Sequence, residues 1–283
     1  MQHRVLMGQD RVIEHLLDLY VLPNLTILLA PRGAGKTYLM NEFVKASKTR
    51  IPQDEYRLIP VGNGIDDVRA TIEESIGLGD RTIFLFTDGD NMSIPAMNSL
   101  LKLAEEPPKN CHIVLELSDL ANTLPTILSR GSVITLEPYS KETLSKIAVN
   151  MELDINSARV KAMIDIAETP GDLIRLSELD FDSCYEYCAK VYNNILRVST
   201  GNAFKICDKI DFKGPGGNNL YPIDIFYKVF LYMCHIKLRT EPPYAISYII
   251  KSTTRAINSL RKKGANKNLV FDIWVLDCRL IRG

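Results

Sequence analysis

A short apolar segment that leads directly into a glycine-rich loop constrains the fold of this chain more than any other feature. Residues 25–30 have the sequence LTILLA, a continuous apolar run typical of a strand buried on both faces. Residues 30–37 follow with APRGAGKT, and residues 36–46 have a helical pattern. A phosphate-binding loop requires this order of strand, loop and helix, so the segment predicts such a loop in an α/β fold.

The loop differs from the phosphate-loop pattern GxxxxGK(S/T) at Ala30, which replaces the first glycine. Glycine is needed where main-chain amides wrap closely around phosphates. Lys36 is expected to reach the β- and γ-phosphates, and the Thr37 hydroxyl to bind the magnesium that accompanies the nucleotide. The alternative is an ordinary glycine-rich turn between a strand and a helix. The residues predicted to hold the nucleotide here are Arg32, Gly33, Ala34, Gly35, Lys36 and Thr37.

Strand and helix patterns alternate through the first half of the chain. Helical periodicity over residues 94–106 ends at Pro107 and Pro108, since proline cannot continue a helix. Alternation at this spacing predicts a parallel sheet with helices on both faces. The further predicted strands are residues 82–86, 112–117 and 132–136.

Strand patterns disappear after Pro138, and helical patterns continue to the end of the chain. A glycine-, proline- and asparagine-rich loop at residues 213–219 interrupts them. We therefore expect an α/β domain followed by two helical ones, with boundaries 1–138, 139–182 and 183–283. The helical segments are expected near residues 140, 156–167, 172–179, 252–263 and 268–281.

The charge balance bears on the kinds of partner this chain can have. The 34 basic residues equal the 34 acidic ones, so the net charge is zero. A protein that holds nucleic acid by itself needs a basic excess, and we therefore expect a subunit of an assembly instead. A solvated helix face is the favoured interpretation of one basic group, Lys251, Arg255, Arg261, Lys262 and Lys263.

The chain has neither an apolar leader nor an apolar run of membrane-spanning length, which predicts a cytoplasmic protein without a membrane partner. The 6 cysteines are scattered without a CxxC pair. Such spacing favours buried thiols over a disulfide framework or a zinc site.

Three further segments occur in the order and at the spacing of a known family. Residues 90–108 resemble the signature DxM(T/S)xxAxNALLKxLEEPP, residues 124–131 resemble LPTIxSRC, and residues 7–9 resemble a VGQ motif. Together with the phosphate loop they resemble the clamp-loader AAA+ family, most of all its delta-prime members. The resemblance extends to Pro138 and is looser in the carboxy-terminal part.

This resemblance implies an α/β P-loop AAA+ domain with a parallel sheet, then a small helical lid and an all-α collar. The collar would assemble with other loader subunits, and the complex would place a sliding clamp on primer-template DNA. DNA contact is expected only within the assembled complex. The implied cofactors are ATP and magnesium.

The alignment places altered residues in two of the family's catalytic elements, the end of the second predicted strand and the lid motif. The family's magnesium-binding aspartate falls on Thr87 and its catalytic glutamate on Asp88, and the lid arginine falls on Ile174, one residue before Arg175. Ser118 aligns with the polar sensor residue. The resemblance therefore implies that ATP is bound with weak or absent hydrolysis, and Asp88 is at most a doubtful catalytic residue.

Arg130, in the segment LPTILSR, aligns with the arginine finger that completes a neighbouring subunit's ATP site. The family's zinc module has no counterpart, because residues 47–80 contain no cysteine. We expect a delta-prime-like stator that donates Arg130 in trans, and the length leaves open a phage or mobile-element version. The alternatives are an ATP-hydrolysing motor subunit that uses Asp88, and a free-standing AAA+ regulator that loads no clamp.

Overall fold

The computed structural model describes residues 7–19, 22–50, 55–75, 81–212, 221–240 and 242–279. The chain divides into two compact units. The first comprises Met1–Asp154 and Glu168–Leu173, and the second comprises Ile155–Ala167 and Ile174–Gly283. The division into 1–138, 139–182 and 183–283 stays a prediction.

Within the described residues of the first unit, five parallel strands form one sheet in the order β2-β3-β4-β1-β5. Because all five are parallel, their carboxyl ends meet at one edge, and the segments that follow β1, β3 and β4 lie there together. The predicted α/β fold with a parallel sheet is confirmed. The strands are β1 Leu25–Leu29, β2 Tyr56–Val61, β3 Arg81–Phe86, β4 Cys111–Leu117 and β5 Ser132–Thr135.

Strand β2 was not among the predicted strands. It lies at the edge of the sheet, pairs only with β3 in the described residues, and has mixed burial along its length. Pro60, which has no amide hydrogen to donate, suits such an edge position. A search for continuous apolar runs does not detect a strand of this kind.

Helices cover both faces of the sheet, and β3 shows how the two faces differ. Ile83 and Leu85 belong to the apolar cluster on the side of α1 and α2, whereas Phe84 and Phe86 belong to the cluster on the side of α3 and α4. This alternation is the period of two expected of a strand buried on both faces. The helices are α1 Asp10–Asp18, α2 Lys36–Arg50, α3 Ile65–Ser75, α4 Ile94–Glu105, α5 Pro125–Leu128 and α6 Lys141–Asn150.

The second unit is mainly helical, with an aromatic core around Trp274. The Trp274 ring meets those of Phe226 and Phe230 edge to face, at centroid distances of 5.7 and 5.3 Å. Its Nε1 donates a hydrogen bond to Thr253 Oγ1 at 3.0 Å, so the buried indole has its polar partner. The core therefore joins the last three helices of the described chain, α11 Ile223–Lys237, α12 Pro243–Leu260 and α13 Lys267–Arg279.

The helices of this part are α7 Ala158–Ile166, α8 Pro170–Glu178, whose first residues belong to the first unit, α9 Phe181–Ile195, α10 Thr200–Lys205, α11 Ile223–Lys237, α12 Pro243–Leu260 and α13 Lys267–Arg279. The short parallel strands β6 Ile210–Asp211 and β7 Tyr221–Pro222 were not predicted. The predicted loop at 213–219 lies outside the described residues. In the described part of the chain, no helix is both long and apolar enough to cross a membrane.

Candidate nucleotide-binding site

The loop that follows β1 adopts a backbone that requires glycine at two positions. Gly33 has a φ of +81° and Gly35 a φ of +88°, both in the left-handed region that side chains disfavour. A Cβ on Gly33 would also lie 2.9 Å from Thr169 Oγ1 and 3.0 Å from Gly171 Cα. Two glycines of the motif are thus needed for the backbone conformation of the loop. Helix α2 begins directly after them, at Lys36.

Neighbouring segments of the first unit hold this loop by its carbonyl groups. The Tyr139 hydroxyl donates to the Ala34 carbonyl at 2.8 Å, and the Gly171 amide donates to the Gly33 carbonyl at 3.0 Å. A Cβ on Gly171 would lie only 2.6 Å from Gly33 Cα, so the start of α8 packs against the loop backbone. Burial raises the pKa of Tyr139 to about 12, and its hydroxyl stays a donor at neutral pH.

Lys36 is buried at the base of the loop. Its ammonium donates to the carbonyls of Ala30 at 2.7 Å and Pro31 at 3.3 Å, and the residue is 7% exposed. Burial lowers the pKa of Lys36, while the charges of Glu116 and Asp90 partly oppose that shift. A buried ammonium whose partners are neutral carbonyls is a strong donor for an anion that reaches the loop.

Thr37 contacts a buried acid from the neighbouring strand. Its hydroxyl donates to Glu116 Oε1 at 2.7 Å, and Glu116 is 5% exposed within β4. Burial raises the pKa of Glu116, although the hydrogen bond from Thr37 and the charge of Lys36 act in the opposite direction. The structure thus brings Lys36, Thr37 and Glu116 together at the carboxyl edge of the sheet.

The end of β3 is more exposed. Thr87 is exposed, and Asp88 pairs with Arg32 of the phosphate loop at 3.1 Å in a contact where both side chains are accessible to solvent. Asp88 also accepts hydrogen bonds from Asn91 at 2.8 Å and from Asn63 at 3.3 Å. Arg32 and Asp88, both predicted site residues, are therefore neighbours.

Asp90, in the turn after β3, bonds the segment that follows β4. Its carboxylate accepts from the Ser118 amide at 3.0 Å and from Asn122 at 2.9 Å. Burial alone would raise the pKa of Asp90. The hydrogen bonds from Asn122 and Ser118 and the charge of Arg32 together have a larger effect, so the pKa lies below its ordinary value. Close approach at this point requires Gly89, where a Cβ would lie 2.5 Å from Leu115 Cδ1. Ser118, the predicted sensor, is thereby fixed through its main chain.

Arg130 lies two residues after α5 and close to Glu105 at the end of α4. Its guanidinium pairs with Glu105 at 2.7 Å and donates to the Thr126 carbonyl at 3.2 Å. Both charged side chains are nearly half exposed, at 42% and 47%. The predicted finger is therefore accessible and held by contacts within its own chain.

Arg175 is engaged with Asp224 at the start of α11. The guanidinium makes two contacts with the carboxylate, at 2.6 and 2.9 Å. Burial tends to raise the pKa of Asp224, but the hydrogen bonds and charge of Arg175 lower it overall. The two residues form a structural ion pair within the second unit.

The donor set at the loop fits a phosphate group. It combines a buried ammonium, a threonine hydroxyl and main-chain amides at the start of α2, where the helix dipole favours negative charge. Among the described residues, no three histidine, cysteine, aspartate or glutamate side chains cluster in a way that could hold a metal ion. A cation here would depend on phosphate oxygens as well as on Thr37 and Glu116.

Comparison with known proteins agrees with this geometry. The model of the family described as DNA polymerase III, delta subunit, matches residues 34–140. The resemblance to the clamp-loader family is confirmed. The DNA polymerase III subunit delta' of Bacillus subtilis is 26% identical over 125 residues, which are 44% of this chain and 37% of that protein. The match thus spans little more than a third of that protein's length.

Two solved structures share the fold of this chain. The RuvB Holliday junction branch migration motor of Thermotoga maritima has a TM-score of 0.50 at 16% identity, covering 95% of this chain and 84% of that one. The Orc1 protein of Aeropyrum pernix in complex with DNA also has a TM-score of 0.50, at 12% identity, covering 96% and 83%. These likenesses show the fold of this chain, an α/β part followed by a helical one.

The motif-based prediction missed four residues that contact the loop: Glu116, Tyr139, Thr169 and Gly171. Thr169 donates to the Arg32 carbonyl at 3.4 Å. Only Glu116 left a signal in the sequence, since an acid inside a mostly apolar strand needs a buried partner. Tyr139 and Thr169 are distant from the loop in sequence, and no local pattern links them to it.

Proposed function

We propose that this chain is a delta-prime-like subunit of a clamp loader, which binds ATP with magnesium at its phosphate loop and hydrolyses it weakly or not at all. One observation carries the proposal: a nearly complete phosphate loop with a buried Lys36 lies beside a β3 end that has Thr87 and Asp88 where the resembling family has aspartate and glutamate. The match to the delta-subunit family over residues 34–140 supports the assignment.

Nucleotide binding would depend on the main chain of residues 32–35, on Lys36 and on Thr37, with Ser118 at the end of β4. ATP and magnesium supply a reactive phosphoanhydride and its charge-neutralising cation. Thr87 has no carboxylate, and the Asp88 side chain is one methylene shorter than glutamate and is paired with Arg32. These two differences support retention of nucleotide without efficient turnover.

Arg130 is proposed to act in trans on a neighbouring subunit's ATP. To reach that site it would have to leave Glu105. Because both side chains are about half exposed, opening this ion pair costs only about 0–1 kcal/mol. An arginine that stabilises the transferred phosphoryl group contributes about 10³–10⁵ in rate.

The proposed partners are the other clamp-loader subunits, contacted through the helical part at 183–283, and through them the sliding clamp. Primer-template DNA would be contacted only in the assembled complex, in the cytoplasm. A net charge of zero supports this assignment, because DNA binding by an isolated subunit depends on a basic excess.

The first test is purification of the tagged full-length chain from its native cell, with its partners identified and their stoichiometry counted. Recovery of clamp-loader subunits in a fixed ratio is the expected result. Recovery of the chain alone or as a homo-oligomer would overturn the proposal and favour the free-standing AAA+ regulator.

The second test measures ATP turnover in the recovered complex. Arg130→Ala should reduce the rate by about 10³-fold or more, while Arg57→Ala, an exposed arginine on β2, should leave it unchanged. Equal rates for the wild-type and Arg130→Ala complexes would contradict the role in trans. Strong ATP hydrolysis by the chain without partners would instead favour the motor subunit.

A further inference from the structure

Glu116 is an acidic residue inside a strand that is buried along its whole length. Every residue of β4 from Cys111 to Leu117 is buried, and Glu116 itself is 5% exposed. Burying a carboxylate is costly unless it gains hydrogen bonds and a compensating charge. Here it accepts the Thr37 hydroxyl at 2.7 Å and lies near the Lys36 ammonium. The acid is therefore retained in direct contact with the phosphate loop.

The acids that follow β3 are engaged differently. Asp88 is paired with exposed Arg32 and accepts from two asparagines. Asp90 bonds the Ser118 amide and the Asn122 side chain, contacts that join two turns of the backbone. Neither contact involves Thr37, whose hydroxyl is directed to Glu116 instead.

The register of the sheet explains why β4 can supply this group. Glu116 lies beside Leu28 of β1, and the phosphate loop begins where β1 ends. A side chain at this level of β4 is thus next to the first turn of α2, where Thr37 lies. Thr87 has no carboxylate to offer, whereas Glu116 places one against Thr37 from the adjacent strand.

We propose that Glu116 supplies the protein carboxylate for the divalent cation of the bound nucleotide, directly or through a bound water. Magnesium prefers oxygen ligands and is usually held by one or two carboxylates together with substrate phosphates. Thr37 and Glu116 provide adjacent oxygens of the required kind. The inference rests on the proposed nucleotide binding and names the residue that makes that binding depend on the cation.

The experiment compares affinity for a fluorescent ATP analogue with magnesium and with EDTA, using the full-length chain. Glu116→Gln preserves size and can still accept the Thr37 hydroxyl. The control Asp119→Asn removes a nearby exposed carboxylate that bonds the Ala121 amide. Binding of Mn²⁺ in the presence of the nucleotide, followed by electron paramagnetic resonance, measures the cation directly without any need for turnover.

We expect magnesium to tighten binding by the wild type and by Asp119→Asn. In Glu116→Gln the affinity in EDTA should be retained, while the gain from magnesium and the affinity for Mn²⁺ fall by about 10–100-fold. Glu116→Asp, which keeps the charge, should lie between these two results. Circular dichroism and the thermal midpoint establish that each variant is folded.

Equal magnesium gains in the wild type and Glu116→Gln would overturn this inference and leave nucleotide binding intact. A wild type that binds the analogue equally well in EDTA would do the same. Absence of any binding by the folded wild-type chain would overturn the proposed nucleotide binding, and the role of Glu116 with it.

Discussion

The phosphate loop and the end of β3 form two sides of one site, yet they are held in different ways. Lys36 and its neighbour Glu116 are 7% and 5% exposed, and the loop carbonyls accept hydrogen bonds from Tyr139 and from the start of α8. By contrast, the Asp88 side chain at the end of β3 is 46% exposed, and that of its partner from the outer part of the loop, Arg32, is 66% exposed.

This difference bears on how a chain can keep nucleotide binding while losing turnover. Groups that are buried and bonded on several sides cannot change without disturbing the loop. Exposed charges at the end of β3 can change at little cost, because water replaces their partners. A threonine at position 87 is therefore compatible with a well-packed loop, and variants on the two sides should differ in their effects.

The largest effect is expected on the buried side. Lys36→Ala removes the ammonium that lies at the base of the loop, and a charged hydrogen bond of this kind contributes about 1.5–3 kcal/mol. We expect affinity for ATP to fall by about 100-fold, as measured by titration with a fluorescent analogue. Lys45→Ala, on the same helix and paired with Glu42 at the surface, is the control and should bind normally. Normal binding by Lys36→Ala would show that the loop does not hold the nucleotide.

A second prediction tests the packing of α8 on the loop. Gly171→Ala places a Cβ 2.6 Å from Gly33 Cα, and a backbone neighbour cannot move aside cheaply. We expect a loss of about 2 kcal/mol in the free energy of unfolding, measured by urea denaturation, together with weaker ATP binding. Gly201→Ala is the matched control, since a Cβ there has no neighbour within 4 Å. If both variants were equally stable, the contact would not be tight.

Asp90 provides a third, smaller effect with a defined pH dependence. Asp90→Asn keeps the shape but weakens the bonds from Ser118 and Asn122, and we expect a loss of about 1–2 kcal/mol at neutral pH. The folded-state pKa of Asp90 lies below its ordinary value of 3.8, so this stabilisation is complete above that pH and is lost as the pH falls through the folded-state pKa.

Urea denaturation of the wild type and Asp90→Asn at neutral pH and at about pH 3 tests this dependence. The difference in unfolding free energy between them should shrink at the lower pH. A constant difference across the range would mean that the Asp90 carboxylate is not responsible.

Much of the fold was predictable because the local signals agree with the tertiary structure. Buried strands leave continuous apolar runs in the sequence. A glycine-rich loop between such a run, at 25–30, and a helix is compatible with only a few fold topologies. Strand β2 escaped detection because an edge strand is half exposed and carries Pro60. The strands β6 and β7 have two residues each, too few for any periodicity.

For the site, the sequence predicts the residues of the loop itself but not the residues that support it. Tyr139 and Gly171 reach the loop from 105 and 138 positions away, and only the folded backbone brings them there. Glu116 was passed over because the family pattern directs attention to the end of β3. Its signal was physical: a buried acid in β4 requires a partner, and that partner is Thr37.

The smallest effect is expected at the exposed side, from Asp88→Asn. The variant removes an ion pair with Arg32 in which both side chains are accessible to water. Such a pair contributes ~0.5 kcal/mol or less to the free energy of unfolding. Asparagine still offers an oxygen to Asn91. We therefore expect the free energy of unfolding, the ATP affinity and the rate of ATP turnover of Asp88→Asn to stay within error of the wild type. The free energy of unfolding of Arg32→Ala should also stay within error of the wild type. A turnover rate that fell sharply in Asp88→Asn, with affinity unchanged, would show that the end of β3 is catalytic. That result would favour an ATP-hydrolysing motor subunit over the stator.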